Sequence, residues 1–166
     1  MQSWCPPPST LFKLNFDAAV FMDMESSGFG PVIRNNMGEV LAAMSAKGPP
    51  IANSEEAEIL TCRKALEFPV ETGFQDVVVE GDNVTVMNSL TADKTDNSLL
   101  GNIYDDVRCL ALRFRSISTS CVRRSANGVA HSLARFARKL SEDYVWLEEQ
   151  PTPALEALYA DSVATA

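Results

Sequence analysis

The run "DVVVEGDN", residues 76–83, limits what this chain can fold into more than any other stretch. Three consecutive valines with no polar alternation make a short strand that is apolar on both faces. That is the pattern of a strand inside a parallel sheet, with helices covering each side. Such a strand needs helical crossovers, and its neighbours supply them. "NSEEAEILTCRKALEF" opens with Asn53/Ser54 as caps, carries glutamates in its first turn and continues with helical spacing. "VTVMNSL" reads as a short helix and, after the polar break "TADKTDN", "SLLGNIYDDVRCLALRF" reads as a longer one. "RSISTSCV" gives a further strand and "ANGVAHSLARFARKL" a closing helix.

Upstream, "LFKLNFDAAV" places Phe12, Leu14, Phe16, Ala18 and Val20 on one face of a strand. "GFGPVIRN" and "NMGEVLAAMSA" add two more, turning at Met37-Gly38, and short connections make the three an antiparallel meander. The expectation is an α/β domain over residues 11–140. Its five-stranded mixed sheet has three antiparallel strands, then parallel ones, flanked by helices. Residues 1–10, "MQSWCPPPST", read as a flexible leader without the basic flank or apolar run of a secretory signal. Residues 141–166 read as a C-terminal extension with one or two helical turns. No run approaches the ~20 apolar residues that span a bilayer.

The four cysteines, Cys5, Cys62, Cys109 and Cys121, show no CxxC pairing, and three fall inside apolar patterns. Buried free thiols in a reducing compartment, nucleus or cytoplasm, are expected rather than disulfides or zinc ligation. Fourteen basic against twenty-two acidic side chains give a net charge of −8. Affinity for phosphate backbones comes mainly from Lys and Arg, so this balance excludes a protein that wraps nucleic acid electrostatically. Any contact with nucleic acid must be local.

Three carboxylates sit where acids are unfavourable. Asp17 lies inside an apolar strand expected to be central, where a charge needs a partner or a metal; a turn or edge position is the alternative. Glu58 falls beside Cys62 and Ala65, on the core-facing flank of a helix whose apolar arc is Ile59, Cys62, Ala65 and Leu66. Asp82 follows the valine strand, where sites form in open α/β sheets, or else caps the next helix. Converging carboxylates repel unless divalent cations lie between them. Two Mg²⁺ ions about 4 Å apart would make a phosphodiester site.

The ordered run "KLNFDAAV", "GFGPVIRNNMGEVLAA", "AEILTCRKALEF", "GFQDVVVEGDNVTVMNSL", "VRRSANGVAHSLARFA" resembles the type 1 ribonuclease H family, closest to its plant reverse-transcriptase-like branch. The resemblance covers roughly Leu11 to Leu140. It implies a carboxylate quartet binding two Mg²⁺ or Mn²⁺ ions and cleaving the RNA strand of RNA–DNA hybrids. By motif, Asp17, Glu58 and Asp82 are its first three members. At the fourth position, where the family pattern carries aspartate, this chain has His131 in "NGVAHSLA". His131, the only histidine, lies away from the apolar face of its helix, on the side of Arg135 and Arg138, as a fourth ligand or as a surface residue. Asn127 as helix cap would keep it neutral.

Arg123, Arg124, Asn127 and Arg135, with Arg138, are the candidate nucleic-acid contacts; for Arg135 and Arg138 a solvated helix face is the alternative. The stretch "LTADKTDNSLLGNIYDDVR" lacks the basic protrusion of some members, and no second histidine serves product release. The resemblance therefore implies a metal-dependent endonuclease acting on RNA–DNA hybrids, monomeric and of weak or fastidious activity. The competing expectation is a domesticated module that binds nucleic acid or protein without turnover.

Overall fold

The computed structural model describes residues 1–51, 53–90 and 99–166. The polar break at 91–97, and with it part of the stretch expected to lack a basic protrusion, lies outside the described residues.

The chain order is β1 (Phe12–Asn15), β2 (Ala18–Phe21), β3 (Ser26–Phe29), β4 (Val32–Arg34), β5 (Val40–Gly48), α1 (Ser54–Thr72), β6 (Asp76–Gly81), α2 (Val84–Ser89), α3 (Leu99–Ala111), β7 (Ser116–Cys121), α4 (Gly128–Phe136), β8 (Tyr144–Leu147) and α5 (Leu155–Thr165). Its sheet is mixed as expected. β1 pairs antiparallel with β4 and parallel with β6, and β6 pairs parallel with β7. Eight strands replace five for an identifiable reason. The ribbon over 12–21 breaks at Phe16-Asp17 and the next breaks at Gly30-Pro31, while β8 adds to the outer side of β5.

Each face of the sheet has its own core. Leu14, Phe16, Ile33 and Val79 pack with Ile59, Leu66 and Val107 of α1 and α3. Val32 and Ala43 face the other way, onto Val129 and Leu133 of α4, Trp146 of β8 and Leu158 of α5. The valine strand is buried on one face, at Val77 and Val79, while Val78 on the other face is half-buried, so burial on both faces is only partly met. Asn53 caps α1, its side chain accepting from Glu56 N at 2.9 Å. The helix then runs four residues past the expected end, through Pro69 to Thr72, and stops at Gly73 in the left-handed region (φ 87°).

Both ends of the chain depart from expectation. Residues 1–10 are no loose leader. Trp4 is 2 % exposed, its Nε1 donates to Asn15 Oδ1, and the Arg34 guanidinium lies 3.7 Å from its ring centroid. At the other end α5 brings Asp161 to Arg34, Nη1 to Oδ2 at 2.7 Å, an ion pair buried on both sides. The extension at 141–166 thus belongs to the packed domain. Thiol burial also departs: Cys62 is buried, but Cys5, Cys109 and Cys121 are exposed, because an apolar pattern does not say which flank of an element meets solvent. Among the described residues no helix is long and apolar enough to cross a membrane.

Candidate functional site

Asp17 stands where the first ribbon changes partners. Phe16 N donates to Glu80 O and Gly30 N donates to Asp17 O, both at 3.1 Å, so the backbone stays tied to its neighbours through the break. The side chain is fully buried. Glu58, in the second turn of α1, is 5 % exposed and its Oε1 accepts from Ala18 N at 3.2 Å. Asp82 follows β6 directly; the cap of α2 is Asn83, which accepts from Val86 N, so Asp82 is left for the site. Glu80 points elsewhere, to Lys13 Nζ at 2.6 Å and Asn15 Nδ2 at 3.1 Å. One oxygen from each of Asp17, Glu58 and Asp82 lies within 4.8 Å of the others.

His131 reaches this cluster through Asp17, with Nδ1 2.7 Å from Oδ2. Two glycines allow it. A Cβ at Gly28 would lie 2.1 Å from Ala134 O, and one at Gly30 would lie 2.3 Å from Ala130 O. Helix α4 can therefore rest directly on the ribbon that flanks Asp17. In the neutral tautomer in which Nδ1 donates to Asp17, the Nε2 lone pair is left for a ligand.

The electrostatics of the cluster favour a positive partner. Among the described residues, Asp17 Oδ1 and Glu58 Oε2, both buried, have no hydrogen-bond partner. Burial, then the charges of Asp17 and Asp82, push the Glu58 carboxyl up to about 9. Asp82 is raised by burial and by Asp17, and held back by Arg124, whose Nε lies 3.3 Å from Asp82 Oδ2. Buried carboxylate oxygens without donors are costly, and a hard divalent cation with oxygen ligands removes that cost. Asp17, Glu58 and Asp82 fit such an ion in donor type, number and spacing.

Beside the acids runs a groove of about 410 Å³ lined by Ala18, Ala19, Glu58, Arg124, His131 and Arg135, among others. Arg138 also lines it and pairs with Asp23. Arg123 is not among the lining residues; its backbone N donates to Gln2 Oε1 at 2.7 Å. Asn127 corrects the sequence expectation. It is 1 % exposed and makes no side-chain cap to α4; instead its Nδ2 donates to Phe16 O at 2.9 Å. It supports the site from beneath and is not presented to a nucleic acid. Trp4, Asn15 and the glycine pair escaped the sequence reading. Asn15 takes the same alternate positions as Lys13 and Asp17, so its type alone did not set it apart.

Residues 15–137 match the reverse-transcriptase-like family. Among curated proteins nothing matches. Among solved structures, ribonuclease H1 of the archaeon Halobacterium salinarum superposes with a TM-score of 0.69 at 26% identity, covering 78% of this chain and 98% of that one. The N-terminal ribonuclease H domain of a Mycobacterium tuberculosis protein gives 0.68 at 23%, covering 78% and 94%. A ribonuclease H1 isolated from compost by a metagenomic approach, solved in complex with an RNA/DNA hybrid, gives 0.66 at 19%, covering 76% and 95%. With the acidic cluster at the break of its first ribbon, on a sheet and helix arrangement shared with these enzymes, the chain belongs to the reverse-transcriptase-like family of ribonuclease-H-like domains.

Proposed function

We propose that this protein is an endonuclease that hydrolyses the RNA strand of RNA–DNA hybrids, using two divalent ions, Mg²⁺ or Mn²⁺. The observation that carries the reading is the trio Asp17, Glu58 and Asp82, with two of its buried oxygens lacking a donor among the described residues. Asp17, Glu58, Asp82 and the free Nε2 of His131 would hold the ions, which supply Lewis acidity and a nucleophilic water at neutral pH. The residues themselves have separable tasks. Asp17 and Asp82 provide negative charge beside Glu58, at the edge of the groove that Glu58 lines. Glu58, fixed by Ala18 N, faces the groove and can accept from a 2′-hydroxyl, the group that distinguishes RNA from DNA. Arg124 and Arg135 provide positive charge for backbone phosphates on a molecule otherwise acidic.

A second reading, a binding module without turnover, draws support from histidine in place of the fourth carboxylate and from Arg124 resting on Asp82. Cleavage of a labelled RNA–DNA hybrid, in Mg²⁺ and separately in Mn²⁺, separates the two. Wild-type cleavage that is lost in Asp17→Asn is expected, with a gain in Mg²⁺ for His131→Asp. Recovery only in His131→Asp would identify an enzyme silenced at one residue. Inactivity of all three proteins in both metals would end the nuclease proposal.

A further inference from the structure

We infer that the N-terminal strap, residues 2–5, is a positioning element for Asp17 and His131, acting through a buried hydrogen-bond chain whose first donor is Trp4. The chain runs one way. Trp4 Nε1 donates to Asn15 Oδ1 at 3.0 Å, Asn15 Nδ2 donates to Asn127 Oδ1 at 3.2 Å, and Asn127 Nδ2 donates to Phe16 O at 2.9 Å. That last acceptor belongs to the peptide bond leading into Asp17. The backbone oxygen of Asn127 accepts from His131 N at 3.0 Å, in the first turn of α4. A single residue therefore ties down both sides of the 2.7 Å contact between Asp17 and His131.

The ends of the chain fix its direction. An indole N–H can only donate and a carbonyl can only accept, so each amide between them has one satisfied orientation. Asn15, Asn127 and Trp4 are all buried, so no bulk water replaces a lost partner. Removing the indole donor orphans Asn15 Oδ1. The Asn15 side chain is then held through Nδ2 alone, shared between Glu80 Oε2 at 3.1 Å and Asn127 Oδ1, and a shift that relieves Oδ1 passes to Asn127 and the Phe16-Asp17 peptide.

Three further bonds clamp the strap to the site's other supports. Gln2 Oε1 accepts from Arg123 N at 2.7 Å, Gln2 O accepts from Ser125 Oγ at 2.6 Å, and Cys5 O accepts from Lys13 Nζ at 2.6 Å. The first two hold the loop that carries Arg124 and leads into α4. Trp4 and Gln2 lie outside residues 15–137, the span of the family match. The geometry of the site is thus set here partly by residues outside the matched span.

The sole histidine makes this directly measurable, because its imidazole ¹⁵N signals need no deconvolution. Wild type, Trp4→Phe and Val107→Ala (a buried α3 position away from the chain of amides) are compared in EDTA, then titrated with Mn²⁺. Trp4→Phe is expected to move the His131 signals and to weaken Mn²⁺ binding about tenfold, as loss of an outer support does at metal sites. Val107→Ala should lower thermal stability and change neither readout. Wild-type signals and Mn²⁺ affinity in folded Trp4→Phe would overturn the inference. If circular dichroism shows that variant unfolded, Gln2→Ala, at an exposed position, applies the same test through the loop clamp, and unmoved His131 signals there overturn it equally. The Mn²⁺ arm rests on the proposed divalent site, and the histidine arm does not. Moved His131 signals in a protein that takes up no Mn²⁺ would sink the metal proposal and leave the positioning role standing.

Discussion

Glu58→Gln should make the metal-free protein more stable, although it removes a residue of the proposed active site. Burial and the neighbouring acids push the Glu58 carboxyl from its ordinary 4.5 to about 9. A carboxyl raised in the folded state favours folding in its protonated form. Its contribution is therefore fully present below the ordinary value and is lost as pH rises toward 9. At pH 7, about 2.5 pH units above the ordinary value, the folded state has forfeited about 3 kcal/mol, at roughly 1.4 kcal/mol for each pH unit. Glutamine keeps the shape and the acceptor for Ala18 N, and its Nε2 takes the place of the orphaned Oε2, facing Asp17 with a donor. The variant should recover most of that amount, seen as a melting temperature about 6–12 °C higher in EDTA at pH 7. The gain should fade as pH falls toward 4.5, where the native glutamate is protonated in both states. Saturating Mg²⁺ should reverse the order, since an ion held by the carboxylates stabilises only the wild type. Urea and thermal unfolding at the two pH values, with and without Mg²⁺, give all four quantities. A variant no more stable than wild type in EDTA at pH 7 would refute the view that this acid is held in a strained, cation-seeking state.

Gly30→Ala would drive a methyl group into Ala130 O and Ala134 N, at 2.3 and 2.4 Å, and should cost about 2–3 kcal/mol in urea unfolding while separating His131 from Asp17. Arg124→Ala frees Asp82 Oδ2, so calorimetry should show tighter Mn²⁺ binding; hybrid binding should weaken, with a salt slope shallower by about one. Asp161→Asn leaves the Arg34 guanidinium buried beside a neutral partner and should cost about 3–5 kcal/mol, read by chemical denaturation. Thiol titration of the native protein should find Cys5, Cys109 and Cys121 reactive, with Cys62, buried and pushed well above its ordinary range, appearing only after unfolding.

The three carboxylates were legible because each violated a local pattern. An acid in an apolar strand, one on the inward flank of a helix and one after an unbroken run of valines are visible without knowing any long-range contact. The supports of the site were not, because they depend on register. Asn15 meets Asn127 across 112 positions of sequence, and nothing in either neighbourhood announces it. Apolar alternation continues smoothly from Phe12 to Val20, so it hid the break at Phe16-Asp17 that turns one strand into two. "CPPPST" suggested a loose leader because proline-rich segments cannot join a ladder. Yet the burial of Trp4 rests on Arg34 and Asn15, which bind its ring and its N–H without a ladder. Asn127 stood at the start of its helix as expected, and its side chain was committed elsewhere.

Arg34 touches Trp4 near one end of the chain and Asp161 near the other, and this has a consequence for how the protein is made. Chains emerge from the ribosome in order, and early segments begin to fold before late ones exist. Trp4, β1 and β4 are available long before α5, but the guanidinium they enclose lacks its hydrogen-bonded ion-pair partner until residue 161 has been added, with only the charge of Glu80 nearby. Until then, closing that face of the sheet would bury a cation without its paired carboxylate, and water must keep its place there. Helix α5, made well after β1 and β4, is thus the one that lets residues 2–5 settle, and a nascent chain halted before it should stay open at the strap that supports the acids.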